Sequence, residues 1–179
     1  CLPARAIMKE HGLSHGDIKH VQVNSFHEAA CLFQDLPDNT SKAQYSLPFA
    51  VAIQIVHGRI GVEHISGAGL KDPTVADVMT RISVTEVEHH SIRFPVGRCA
   101  DVQISTTEGR VLDSGDTHAR GGPEAPMSRD EVIEKFMEFA TPSLGVTRAA
   151  AIRDATLGLV RPDSQLSDLT QHLFNAPEA

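Results

Sequence analysis

The chain has 179 residues, 41% of them hydrophobic and 22% charged, with a formal net charge of −7. That length and apolar content support one good core and exclude a disordered chain. The acidic balance, with no basic run, excludes binding to nucleic acid through its phosphates and docking on an anionic membrane surface, and the apolar run Phe49 to Val56 is far too short to span a bilayer.

Aromatic residues make up only 4% and there is no Trp, so the core has to be built from Ala, Val, Ile and Leu. Three cysteines, Cys1, Cys31 and Cys99, stand far apart without a pattern. They point to a reducing, cytoplasmic setting rather than a disulfide framework or zinc knuckle, and to buried, inert thiols. No secretory signal is visible. The chain opens on Cys-Leu-Pro-Ala-Arg rather than Met, so a processed or truncated upstream segment is expected.

In chain order, Pro3 to His11 reads as a short helix with Gly12 at its C-terminal cap. Asp17 to Phe26, rich in β-branched residues, reads as the first strand, and Leu36-Pro37-Asp38-Asn39-Thr40 as a turn. Ser41-Lys42-Ala43-Gln44 has capping-box spacing for a helix running to Val56 and ending at Gly58. Pro48 either kinks that helix or marks a later start with Ser46 as the N-cap. Apolar residues on nearly every face predict a helix buried all round.

Asp72-Pro73 opens a further helix carrying Val75, Val78, Met79 and Ile82. Three β-like runs follow: Ser83 to Glu88, Cys99 to Thr106, and Arg110 to Thr117, the last two joined by a hairpin at Thr107-Glu108-Gly109. Val102 and Ile104 alternate with Asp101, Gln103 and Ser105, which predicts one wet face. After the loop Gly121 to Pro126, Ser128-Arg129-Asp130-Glu131 is a second capping box, and its helix is expected to bury Val132, Ile133, Phe136 and Phe139. Two more helices are predicted near Thr147 to Val160 and Leu166 to Phe174. Strands arriving partly in a run predict an α+β fold, a small and mostly antiparallel sheet covered by helices.

The chemistry-bearing residues offer few local patterns. Ten histidines include the adjacent pair His89-His90, which on a strand would face opposite ways. No His-x-x-x-His pair falls on a predicted helix, His11, His15 and His20 sit around a turn, and no Cys-x-x-Cys is present, so no metal site and no cofactor are expected. Nothing in the sequence places a base beside Cys31 or Cys99. Gly67-Ala68-Gly69 reads as a loop rather than a phosphate cradle. The segment Gln44-Tyr45-Ser46-Leu47-Pro48-Phe49 puts an amide, a phenol and a hydroxyl at a helix start, where unpaired N–H groups can meet a carboxylate. The plainer alternative is a cap, Ser41 or Ser46, with Tyr45 as packing.

Ala43-Gln44-Tyr45-Ser46-Leu47-Pro48-Phe49-Ala50-Val51-Ala52, followed by Val56-His57-Gly58-Arg59, resembles the signature of the MmgE/PrpD family. That family includes 2-methylcitrate dehydratase, cis-aconitate decarboxylase and iminodisuccinate epimerase. Glu10 to Ser14 leading to Asp17-Ile18-Lys19-His20-Val21, the Lys71 to Val75 helix start, and Arg120 to Ser128 with Glu134-Lys135-Phe136 agree in order and spacing.

The resemblance implies the smaller α+β lid domain over residues 1–140, with helices 141–179 packing on a large helical domain that lies upstream of this chain and carries most catalytic residues. It implies a cofactor-free lyase or isomerase acting on small polycarboxylic acids, 2-methylcitrate dehydratase-like, with a homodimer as partner state. By this resemblance Tyr45, Ser46 and Phe49 are lid-side pocket residues, Tyr45 being the candidate for proton transfer and Ser46 and Phe49 for substrate binding. Phe49 matches a position that is often Tyr in the decarboxylase, and its missing hydroxyl weakens the case for decarboxylation. The alternative function is a non-catalytic dimerisation or binding module.

Overall fold

Short-range signals determine where most helices begin and end. In a computed structural model that describes residues 2–174, the first helix, α1, is Leu2–His11, followed by Gly12 at φ 62°. Cys1 lies outside the described residues. Strand β1 is Ile18–Ser25, and α2 is the single turn His27–Ala30.

The predicted long helix is two helices. The short α3, Thr40–Gln44, is capped by Asn39, whose side chain accepts from the Lys42 N–H; the Ser41 capping box is not used. Helix α4, Leu47–His57, starts afresh with Ser46 as N-cap and Pro48 in its first turn, where the missing N–H costs nothing. It ends at Gly58, φ 71°, where the Gln54 amide donates to the Gly58 carbonyl.

Gly67-Ala68-Gly69, expected as a loop, opens the 3-10 helix Gly67–Lys71, which packs on the 3-10 turn Val62–His64. Helix α5 is Pro73–Met79 with Asp72 as N-cap, and Ile82, expected on it, instead opens strand β2, Ile82–Glu86. A single turn, α6, Glu88–Ser91, leads to β3, Cys99–Thr106, then β4, Val111–Asp113, and β5, Thr117–His118.

The sheet runs β2-β1-β3-β4, with β5 also pairing β3. β1 and β2 are parallel, which requires the crossover through α2 to α5. The other pairings are antiparallel, including the predicted β3–β4 hairpin. Val21 and Val23 face Ile104 and Val102 across the central pair, so one side of the sheet is apolar. Against it, α4 lies between α1 and α5, which explains the burial of Phe49, Val51, Ala52, Ile53 and Ile55 on several faces at once. The opposite side carries a polar ladder. Gln22 donates to Asn24 and Thr85, and Asn24 donates to Asp101 at 2.8 Å. Gln103 and Ser105 are half-exposed as expected, whereas Asp101 is buried beneath His90 of α6. The expectation of a fully wet face therefore fails at that end.

Two compact units divide the chain, residues 1–125 and 126–179. The second holds α7, Arg129–Leu144, α8, Val146–Gly158, and α9, Leu166–Phe174. The capping box at its start forms as predicted: Ser128 Oγ accepts from the Glu131 N–H and the Glu131 carboxylate accepts from the Ser128 N–H. Ala149 and Ile152 of α8 are buried. The expected burial along α7 does not occur: Val132 and Phe139 are exposed, and Ile133 and Phe136 are half-buried. Within its unit α7 packs chiefly on α8. Among the described residues no helix is long and apolar enough to cross a membrane.

Candidate functional site

The first unit contains a pocket of about 420 Å³ whose floor is mainly apolar, with Val23 and Val102 of the sheet and Leu47 at the start of α4. Its rim carries Arg98, Arg120 and His118. Five stretches converge here: α1 at Pro3, the end of β1 running into α2, the start of α4, the entry to β3 and the β5 segment. Arg98 is exposed and has no ion-pair partner among the described residues. Arg120 donates to the Ala125 carbonyl, which ties down the loop beyond β5. Two guanidinium groups over an apolar floor suit a small anionic ligand, because planar guanidinium groups bind carboxylates through paired, charge-assisted hydrogen bonds.

Cys99 also lines this pocket, its side chain buried, with Sγ 3.3 Å from His118 Nδ1. The strand pairing that sets Cys99 opposite His118 creates the contact. Cys31, expected to be buried, is exposed, with Sγ 3.4 Å from His27 Nε2. An imidazole therefore stands beside each of these thiols, which sequence reading missed. The His27–Cys31 pair was visible as an i, i+4 spacing; the 19-residue separation of Cys99 and His118 gave no local signal. Glu86 accepts from His27 at 2.8 Å and raises the pKa of that ring.

The three residues singled out in the sequence are close in the chain but differ in setting. Tyr45 is 62% exposed. Ser46 is buried, and its hydroxyl accepts from the Phe49 N–H at 3.3 Å, so it acts as the helix cap. Phe49 is 1% exposed and belongs to the core cluster. None of the three lines the pocket, although Leu47, next to Ser46, does.

A second polar group forms on the other side of β3. His89 and His90 sit on the turn of α6 rather than on a strand, and their rings lie 4.0 Å apart. His90 Nε2 is 2.9 Å from Asp101 Oδ1 and 3.9 Å from Asp116 Oδ1, while His89 Nε2 is 3.6 Å from Asp116 Oδ1. Arg93 donates to the other oxygen of Asp116 and holds its carboxyl below the usual carboxylate range; mild desolvation opposes this, and the charges of His90 and His89 reinforce it.

An α+β domain with a mixed sheet, helices over its apolar side and a cation-rimmed pocket is the class of protein that these observations define. The sequence profile of the MmgE/PrpD C-terminal domain matches residues 3–159, and the chain belongs to that family. The family includes lyases and isomerases, so the chain is enzyme-derived at that level. No curated protein matches the sequence.

Proposed function

We propose that the chain is the lid part of a cofactor-free lyase or isomerase acting on small polycarboxylic acids, in the manner of 2-methylcitrate dehydratase, in a cytoplasmic homodimer. The observation that carries this reading is the pocket rimmed by Arg98, Arg120 and His118 over an apolar floor. Removing a proton α to a carboxylate requires the carboxylates to be held by cations and shielded from water. The rim supplies the anchors, and the floor supplies a surface that excludes water once this lid closes on the rest of the enzyme. Tyr45 and Ser46 flank the start of α4 beside this pocket in sequence; Tyr45 presents the exposed phenol and is the candidate for a polar contact with substrate.

The test uses the full-length protein with a panel of polycarboxylates such as 2-methylcitrate, cis-aconitate and iminodisuccinate. Arg98→Ala should lower kcat/KM by about ten- to a hundredfold, since a hydrogen bond to a charged group contributes about 1.5–3 kcal/mol. Melting temperature should hold, because Arg98 is exposed. Turnover within twofold of the native enzyme would remove the pocket from the reaction. Absence of turnover on every polycarboxylate would favour the binding-module alternative, towards which the exposed Val132 and Phe139 on α7 also point.

A further inference from the structure

We propose that His89, His90, Asp101 and Asp116 form a zinc site that ties α6 to β3 and to the segment entering β5. One donor atom from each of the four residues lies within 4.8 Å of all the others. The donors come from three stretches of chain, and sequence spacing had given no sign of them. Two imidazoles and two carboxylates match the nitrogen and oxygen donors that zinc takes in four-coordinate sites.

The contacts within the cluster join its members in pairs. His90 Nε2 can donate one proton, and the 2.9 Å contact assigns it to Asp101. The Asp116 oxygen 3.9 Å from that same nitrogen, and the His89 nitrogen 3.6 Å from Asp116, face the same gap. A proton serves one such pair at a time, whereas a divalent cation serves all four lone pairs together.

The spacing is also suitable. In a tetrahedral site with bonds of about 2.0–2.1 Å, neighbouring donors stand about 3.3–3.4 Å apart. Reaching that geometry requires small movements, and the two exposed members, His89 and Asp116, can make them without disturbing the core. The buried pair, His90 and Asp101, stands 2.9 Å apart and has to open slightly to admit the ion.

Outer hydrogen bonds orient both carboxylates, as in known metal sites. Asn24 donates to Asp101 Oδ2 at 2.8 Å, and Arg93 donates to Asp116 Oδ2, leaving each Oδ1 directed at the histidines. His90 Nδ1 is buried and has no partner, so the ring lacks the acceptor that usually stands behind a ligating imidazole. That omission lowers the expected affinity by about 10–100-fold relative to a site whose imidazole is backed by an acceptor. Asp116 directly precedes β5, which carries His118 of the pocket rim, so an ion here would order that wall. The role is structural and does not depend on the proposed reaction.

Zinc binding to the purified full-length protein tests the site by calorimetry, with melting temperature followed in parallel and after chelator treatment. The native protein should take up one equivalent of Zn2+ and melt higher with it. His89→Ala and Asp116→Asn, both at exposed positions, should each weaken binding at least about tenfold. His27→Gln, at the separate exposed His27–Cys31 pair, should leave the affinity unchanged. Cobalt(II) should give the visible d–d bands of a four-coordinate site, lost in the two cluster variants. Absence of saturable uptake, or native affinity in both cluster variants, would overturn the site; so would loss of binding in His27→Gln alone.

Discussion

Asp72 joins two helices through its two carboxylate oxygens: one accepts from the Thr74 and Val75 N–H groups at the start of α5, and the other lies 2.9 Å from Nε2 of His57, the last residue of α4. Two helix ends that pack side by side are thus held by one side chain. Burial by itself would raise the pKa of this carboxyl, but the Val75 and Thr74 backbone bonds and His57 outweigh it and leave the pKa lowered. The group therefore stabilises the fold above its unfolded value of 3.8, and that contribution is lost as pH falls through the lower folded value.

Asp72→Ala should destabilise the protein by about 1–2 kcal/mol, the cost of losing an N-cap. Asp72→Asn should cost only a few tenths of a kcal/mol for the cap, because Asn caps about as well, and should remove this group's acid dependence. Urea denaturation at neutral and acid pH separates the two. Equal losses for both variants would mean that the charge, rather than the cap, carries the stabilisation.

His64 provides a pH dependence of opposite cause. Desolvation, its largest influence, lowers its pKa below 6.5, and its Nδ1 accepts the Gly61 N–H at 2.9 Å. The ring also stacks on His57 at 4.5 Å. The unfolded chain binds this proton more readily than the folded one. Stability should therefore fall as pH drops through 6.5 and level off below the folded value. His27 acts in the other sense: its raised pKa stabilises the fold below 6.5, and the effect is lost as pH rises through the higher folded value. The discriminating measurement is the difference between native protein and His64→Asn over about pH 5–8. A parallel pair of stability curves would show that His64 does not contribute to the slope.

Gly69 is required by space rather than by a turn. A Cβ built there would lie 2.0 Å from the Glu63 carbonyl oxygen and 2.7 Å from the His64 Cα. Those are backbone atoms, which cannot rotate away, so Gly69→Ala must separate the two 3-10 segments. A loss of at least about 2 kcal/mol is expected, at the upper end for overpacking by one methyl group. A change in melting temperature within experimental error would mean that the segments part freely.

The residues at the start of α4 should separate activity from stability. Tyr45→Phe removes an exposed hydroxyl, so melting temperature should stay within error, while kcat/KM should drop about ten- to a hundredfold if the phenol contacts a substrate carboxylate. Ser46→Ala removes a cap and should cost about 1 kcal/mol of stability. Phe49→Ala empties part of the core and should cost about 3–5 kcal/mol. Activity of Tyr45→Phe within twofold of native would exclude a substrate contact for that hydroxyl.

The elements readable in the sequence are those decided by residues three or four positions apart. Asp72-Pro73, Ser128 with Glu131, and Gly58 mark helix ends whose partners are local N–H and carbonyl groups, and they hold in the structure. The alternation of Val21 and Val23 with Gln22 and Asn24 places one strand face in the core, and the family signature around Gln44 to Ala52 was equally local. Ser46 shows the limit of such reading. Two capping choices were open, and α4, buried through most of its length, starts at the later one, with Asn39 starting a separate short helix. Tertiary structure decided the rest. The parallel crossover between β1 and β2 and the central placement of β3 bring α6 over Asp101, and the β3–β5 pairing brings His118 to Cys99. Such contacts depend on sheet order and register, which arise from burying the whole apolar face at once, so no stretch of neighbouring residues carries their signal.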